Sequence, residues 1–295
     1  MRQSKWLSAF TSVKRRVSPA IIIAIAVAIA VAIAVVLLGM YIYRRAFSAP
    51  SRIETYYQKE LIQFLTANDI AVLLTTDADN YVKRLSETDL VARGVKTTAE
   101  YTEAIKDLGV TLDPMQKRIT ERAILDVQKW LNAPARSAKT VHGVSFAKLS
   151  VIPWKIAVTA AKPARTVAYE GNLPHTRGDV VFIPASYIAS DADSRLASTL
   201  LHEKVHVYQK MYPGDVADAL AAEGYKRENA RSKVPRIRAN PDLDDYVYTD
   251  SSGTQMLATY ASDAPTGITD VVQTNSAAFE HPYEKMAYAI AAMYK

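Results

Sequence analysis

A long segment without any charged side chain, residues 17–43, constrains the fold of this chain more than any other feature of its sequence. Within it, residues 20–38 are only alanine, isoleucine, valine and leucine. About 20 apolar residues in a helix cross the hydrocarbon core of a bilayer. In lipid the backbone must also satisfy its own hydrogen bonds, which favours a helix. The sequence therefore predicts a single transmembrane helix over residues 17–43.

The flanks of this segment favour an uncleaved anchor over a secretory signal peptide. The apolar region of a signal peptide is usually about 7–15 residues long, which is shorter than this one. Tyr41 and Tyr43 stand where interfacial aromatic residues are expected, and Arg44 and Arg45 follow them. The slight excess of basic residues before the segment predicts a single-pass membrane protein with a cytoplasmic N-terminus and the C-terminal domain on the opposite side.

The net charge of +6 is concentrated at the N-terminal end. Residues 1–45 carry seven basic residues and no acid, so the rest has 36 − 7 = 29 basic against 30 acidic residues, a net charge of −1. This balance gives no electrostatic reason to expect nucleic-acid binding. The chain has no cysteine, which excludes disulfides, thiolate zinc sites and a cysteine nucleophile.

The sequence after the apolar segment predicts an α+β fold. We expect a basic tail over 1–16, the transmembrane helix over 17–43, a mostly helical region over 44–140 and a domain with a small sheet and a central helix over 141–295. In the helical region, residues 52–65 have apolar residues at helical spacing.

Several elements can be placed more closely by their end signals. Asp113-Pro114 predicts a helix start, with the helix running to about Leu131. Residues 144–158 and 180–183 are rich in β-branched and aromatic residues and predict strands. A helix over 191–211 would be capped by Ser190 and followed by Pro213-Gly214. The composition of residues 232–278 predicts loops, and a last helix is expected over 282–294.

The central helix carries the sequence His-Glu-Lys-Val-His at 202–206. His202 and His206 are four residues apart, so both imidazoles project from one face and can bind the same ion. Nitrogen ligands suit Zn²⁺, which keeps one position for water in a catalytic site. Glu203 points to the side of the metal, where it can accept a proton from water as a general base.

The segments 175–211 and 278–295 resemble the zincin superfamily of metallopeptidases, and in particular its gluzincin branch. The stretch Glu280-His281-Pro282-Tyr283-Glu284 is similar to the one that supplies the third ligand in that branch. The resemblance implies zinc held by His202, His206 and Glu284, and hydrolysis of peptide bonds in a protein or peptide substrate. Glu280, Glu223 and Glu228 are alternatives for the third ligand.

Peptide hydrolysis also needs a hydrogen-bond donor for the oxyanion of the tetrahedral intermediate. His281 and Tyr283 are the catalytic candidates, and Tyr288, His175 and Arg177 are further ones. In zincins the strand before the metal helix often lines the cleft and pairs with an extended substrate by strand addition.

Two other interpretations stay open from the sequence. One is a non-enzymatic, membrane-tethered structural or binding protein that retains a zinc site, which would usually have four protein ligands. The other concerns residues 240–245, whose acids could form a calcium site but lack the ligand pattern of such loops. A solvated turn with hydrogen bonds from Asn and Asp side chains is the better interpretation of that segment.

Overall fold

A computed structural model describes residues 28–29, 31–39, 61–160, 169–188, 194–274 and 279–294. The chain divides into two compact units, Met1–Ser51 and Arg52–Lys295.

In the first unit, residues 28–29 and 31–39 are helical and exposed. No helix in the described part of the chain is both long and apolar enough to cross a membrane. This finding corrects the predicted transmembrane helix over 17–43, and with it the single-pass membrane localisation. The described helical residues 31–39 span about 13 Å, whereas the bilayer core is about 30 Å thick. The other residues of the segment, with Tyr41, Tyr43, Arg44 and Arg45, lie outside the described residues.

The second unit is a mixed α/β structure, which also corrects the expected arrangement of a helical region followed by one small sheet. Its helices of four or more residues are α1 (Ala67–Thr76), α2 (Glu87–Ala92), α3 (Thr98–Ile105), α4 (Pro114–Leu131), α5 (Pro134–Ser137), α6 (Phe146–Val151), α7 (Ser194–Met211), α8 (Pro213–Ala222) and α9 (Pro282–Ala292). Its strands are β1 (Ile62–Phe64), β2 (Thr140–Val141), β3 (Val144–Ser145), β4 (Trp154–Thr159), β5 (His175–Arg177), β6 (Val180–Pro184), β7 (Lys226–Ala230), β8 (Tyr246–Thr249), β9 (Gln255–Tyr260) and β10 (Val271–Thr274). Among the described residues, short 3₁₀ turns lie at Val82–Arg84, Tyr169–Asn172, Ala185–Tyr187 and Arg231–Lys233.

The first sheet has the strand order β1-β4-β6-β5. Strands β1, β4 and β6 run parallel, and the edge strand β5 is antiparallel to β6. Residues 62–64, which were expected to be helical, form the other edge strand because they pair with Trp154, Lys155 and Ile156 of β4. The expected strands over 144–158 and 180–183 are only partly right, since residues 146–151 form α6.

The second sheet is antiparallel, with the order β10-β9-β8-β7, and a separate hairpin joins β2 and β3. The four-stranded antiparallel sheet lies largely within residues 232–278, which were predicted to be loops. That prediction is wrong for β8, β9 and β10. The strands Tyr246–Thr249 and Gln255–Tyr260 contain the aromatic and β-branched residues typical of strands. The Pro, Asn, Ser and Gly residues before and between these strands had obscured this signal.

Helix α7 lies at the centre of the main hydrophobic core. It packs against α4 and α9 and contacts β6. Leu200, Leu201 and Val205 of α7 are fully buried, as its apolar pattern predicted. Asp113 caps α4 by accepting hydrogen bonds from the backbone N–H groups of Met115 and Gln116, which confirms the predicted helix start. The packing fixes α7 and α9 side by side.

Candidate metal centre

The three predicted ligands meet between α7 and α9. The Nε2 atoms of His202 and His206 are 3.0 Å apart. Oε2 of Glu284 is 3.4 Å from Nε2 of His202 and 3.7 Å from Nε2 of His206. Ligand atoms about 2.0 Å from a tetrahedral zinc ion are roughly 3.3 Å from one another. The three atoms therefore have the spacing and the donor chemistry of a single cation site.

Glu284 reaches this position because of the way α9 begins. His281 is the N-cap residue, and its Nδ1 accepts a hydrogen bond from the backbone N–H of Tyr283 at 3.1 Å. Pro282 at the first helical position suits the fixed φ of proline. Glu284 then falls in the first turn, where the helix dipole also favours a carboxylate. Burial acts to raise the pKa of Glu284, but the neighbouring His206 and His202 hold that pKa well below its usual range.

His206 is oriented by Gln209, one turn further along α7. Nδ1 of His206 lies 2.8 Å from Oε1 of Gln209, and a carboxamide oxygen only accepts hydrogen bonds. Nδ1 therefore carries the proton of the neutral ring, which leaves the lone pair of Nε2 facing the other ligands. Nε2 of Gln209 donates to the carbonyl oxygen of Tyr283 at 3.1 Å, so one side chain connects both ligand-bearing helices.

The electrostatic surroundings of the three ligands favour a cation. Burial alone would lower the pKa of His206, but the negative charges of Asp242 and Glu284 raise it to about 9. These carboxylates attract a proton to the site, and they attract a metal cation for the same reason.

Glu203 is 3% exposed and lines the same cavity as His202 and Glu284. Its Oε2 atom is buried and has no hydrogen-bond partner among the described residues. Burial, together with the charges of Asp242 and Glu284, raises the pKa of Glu203 well above its usual range, against the opposing effect of His206. A buried carboxyl group with a raised pKa, next to a group of side chains that could hold a cation, is suited to exchange protons.

The cavity has a volume of about 830 Å³. Tyr288 projects from α9 with 55% exposure, and its ring centroid is 4.4 Å from that of His202. His175 also lines the cavity, held by stacking on Phe182 and by a 3.0 Å contact between its Nδ1 and the carbonyl oxygen of Leu173.

The structure places two predicted catalytic residues elsewhere. His281 is fully buried, and its Nε2 lies 3.2 Å from Oδ1 of Asp244, so both ring nitrogens have partners. Tyr283 is also buried, and neither residue is among those that line the cavity.

Arg177 is buried between Asp77 and Asp79. Of the predicted oxyanion donors, Tyr288 and His175 are the two that line the cavity.

The three alternatives for the third ligand contact other side chains. Glu223 lies 2.6 Å from Nδ1 of His142, and Glu228 accepts a hydrogen bond from Thr249. Glu280 lines the cavity, but its Oε1 accepts hydrogen bonds from Arg238 and Asn240. In the described part of the chain, only Glu284 joins the two histidines in a group that could hold a metal ion.

Two side chains form hydrogen bonds with backbone groups on the outer edge of β5, beside the cavity. The backbone N–H of Thr176 donates to Oδ1 of Asp242 at 2.7 Å, and Nζ of Lys210 donates to the carbonyl oxygen of Thr176 at 2.9 Å. These backbone groups point away from β6 and would otherwise be open to a pairing strand. Sequence reasoning missed Asp242 and Gln209 as residues near the site, because neither belongs to the motif.

Comparisons with known proteins give no match for this chain. No model of a protein family, no curated protein and no solved structure is similar enough to assign it to a family.

Proposed function

We propose that this chain is a zinc-dependent metallopeptidase in which His202, His206 and Glu284 hold the metal and Glu203 is the general base. The observation that supports this most is the proximity of the three ligand atoms to one another beside a cavity lined by Glu203, whose buried Oε2 has no hydrogen-bond partner among the described residues. The resemblance of residues 202–206 and 280–284 to the gluzincin pattern points to the same chemistry.

The donor set favours zinc among the common metals. Two imidazole nitrogens and one carboxylate oxygen suit Zn²⁺, whereas Mg²⁺ and Ca²⁺ prefer sites built from oxygen alone. Three protein ligands are also the usual number in catalytic zinc sites, where water or substrate takes the remaining position. A structural zinc site usually has four protein ligands, and among the described residues three form the group. This count favours the enzyme over the non-enzymatic alternative.

The bound metal would polarise the scissile carbonyl and acidify a water molecule. Glu203 accepts a proton from the attacking water and then delivers it to the nitrogen of the leaving amine. Gln209 holds His206 in the tautomer that leaves Nε2 free to bind. Tyr288, which is exposed in the cavity next to His202, is the best-placed donor to the oxyanion. The substrate class is a protein or peptide.

The test compares the full chain with its Glu203→Gln and His202→Ala variants. Each protein is analysed for zinc by elemental analysis and assayed on casein, an unstructured protein. We expect one zinc per chain in the parent and in Glu203→Gln, cleavage by the parent only, and loss of zinc in His202→Ala. Absence of zinc from the parent after incubation with Zn²⁺ would reject the metal site. Zinc in the parent with equal cleavage by Glu203→Gln would reject Glu203 as the base.

A further inference from the structure

The turn at residues 240–242 is part of the cavity wall, not a solvated surface turn. It has the predicted local hydrogen bond, because Oδ1 of Asn240 accepts from the backbone N–H of Asp242 at 2.9 Å. However, Asp242 is only 5% exposed, and Asn240, Pro241 and Asp242 all line the cavity with His202 and Glu284. The turn therefore lies where it can act on the proposed metal ligands.

The side-chain amide of Asn240 has one orientation that satisfies all its contacts. Its Oδ1 faces the N–H of Asp242, so its Nδ2 faces two carboxylates. Nδ2 donates to Oε1 of Glu284 at 3.1 Å and to Oε1 of Glu280 at 2.9 Å. The flipped amide would direct its oxygen at both carboxylates and its NH₂ group at another N–H. The hydrogen-bond network thus assigns Nδ2 as the atom that contacts Glu284.

Because of this hydrogen bond, the two carboxylate oxygens of Glu284 have different partners. Oε1 is taken by Asn240, while Oε2 faces the Nε2 atoms of His202 and His206. We infer that Asn240 is a positioning residue for the metal site, which holds Glu284 so that it binds the metal through Oε2 alone. The inference rests on the proposed function, because it requires that these three residues bind a metal.

The backbone on both sides of Asn240 is fixed, as a positioning role requires. The N–H of Ala239 donates to Oδ1 of Asp89 at 2.8 Å. On the other side, Asp242 accepts from the N–H of Thr176 in β5. Asn240 also lies between Glu280 and Glu284, so its N–H groups reduce the repulsion between two like charges. This second effect would be purely structural, and the experiment must separate it from the effect on the metal.

Two substitutions make this separation. Asn240→Ala removes all hydrogen bonds of the side chain. Asn240→Ser keeps a short acceptor for the N–H of Asp242, as serine does in such turns, but it removes the amide donor to Glu284. Asn132→Ala is the matched control, because Asn132 is exposed at the end of α4 and is not among the residues that line the cavity.

Three properties are measured on the full chain: zinc affinity by competition with a chromogenic chelator, the visible spectrum of the Co²⁺-substituted protein, and thermal unfolding of the metal-free protein. We expect both Asn240 variants to bind zinc about 10–100-fold more weakly than the parent, as for other partners of metal ligands. We also expect weaker Co²⁺ absorption, because the released Oε1 can join the metal and raise its coordination number. Asn132→Ala should match the parent in affinity and spectrum.

If both variants keep the parental zinc affinity and Co²⁺ spectrum, the inference is overturned, even if their metal-free forms unfold at lower temperature. It is also overturned if Asn240→Ser restores parental values that Asn240→Ala loses, because the turn alone would then matter. If Asn240→Ala does not fold, Asn240→Ser decides by the same criteria. Failure of the parent to bind zinc would instead reject the proposed function, so the two failures are distinguishable.

Discussion

At the scale of single residues, Lys204 is the most unusual side chain of the motif. It is 1% exposed, its Nζ donates to the carbonyl oxygen of Ile152 at 2.6 Å, and the same atom lies 3.8 Å from the centroid of the Trp154 ring. Burial lowers its pKa well below the usual range of lysine. Burial of this amino group without a carboxylate partner among the described residues costs free energy that one hydrogen bond only partly offsets.

We therefore predict that Lys204→Met raises the free energy of unfolding by about 1 kcal/mol, since an apolar side chain of similar length suits this environment better. In a protein of this size that corresponds to a melting temperature about 2–4 °C higher. Thermal unfolding of the full chain checks this, with Lys155→Met as the control at a half-buried lysine paired with Asp179. A clearly lower melting temperature for Lys204→Met would show that the contacts to Ile152 and Trp154 outweigh the desolvation of the charge.

Tyr288 provides the second prediction at this scale. If its hydroxyl donates to the oxyanion, Tyr288→Phe should lower kcat on casein about 10²–10³-fold, because one donor is lost where charge develops. The zinc content should not change, since Tyr288 is not a ligand. Tyr294→Phe is the control, because Tyr294 packs on Trp130 and is not among the residues that line the cavity. Equal losses in the two variants would contradict the role of Tyr288.

At the scale of elements, a buried charge network connects α2 and α3 with the turn at Tyr169–Asn172. Arg93, the C-cap residue of α2, pairs with Glu170 at 2.6 Å, and the hydroxyl of Tyr101 of α3 donates to the same carboxylate. Burial would raise the pKa of Glu170, but the charge and hydrogen bonds of Arg93 outweigh it and lower this pKa to about 2. The network thus joins three elements through one carboxylate.

This network predicts a specific dependence of stability on pH. The unfolded chain holds a proton on Glu170 below about 4.5, whereas the folded protein takes it up only near pH 2. The stabilisation is therefore complete above about pH 4.5 and is lost as the pH falls towards 2. Glu170→Gln should be less stable at pH 7 and should lose less stability between pH 4.5 and 2. Denaturant unfolding at several pH values measures this, and parallel curves for both proteins would contradict the prediction.

The elements also show what local sequence can and cannot predict. The start of α4 followed from Asp113-Pro114, because a cap acts on the next few residues only. Strand β1 did not follow, because Ile62–Phe64 become a strand through pairing with residues more than eighty positions away. Sequence hydropathy predicted a membrane span where the described residues contain no helix that qualifies.

At the scale of the whole molecule, the candidate metal site joins distant parts of the chain. His202 and His206 were predictable from their spacing on one helix, and Glu284 from its resemblance to a known pattern. Asn240, Asp242 and Gln209 were not, since their roles depend on which loops the fold brings to the cavity. His281 and Tyr283 were candidate oxyanion donors because they adjoin Glu284 in sequence, but neither is among the residues that line the cavity.

Because the ligands come from both α7 and α9, we predict that zinc stabilises the whole second unit. At a free zinc concentration about 1,000 times the Kd, the gain in unfolding free energy is about 4 kcal/mol. Removal of zinc by EDTA should therefore lower the melting temperature of the full chain. The His202→Ala variant, which lacks a ligand, should show little response to EDTA. An equal response in both proteins would place the stabilising zinc elsewhere.

The hydrogen bonds that Asp242 and Lys210 make to the backbone of Thr176 in β5 affect whether another chain can pair with this strand. An edge strand with free N–H and C=O groups is a template on which a second chain can add, which leads to domain swapping or aggregation. At Thr176 both groups already have partners, in Asp242 and Lys210. A foreign strand must break these buried contacts before it can pair at this position. The folded protein thus protects this edge of its sheet while the cavity beside it stays open.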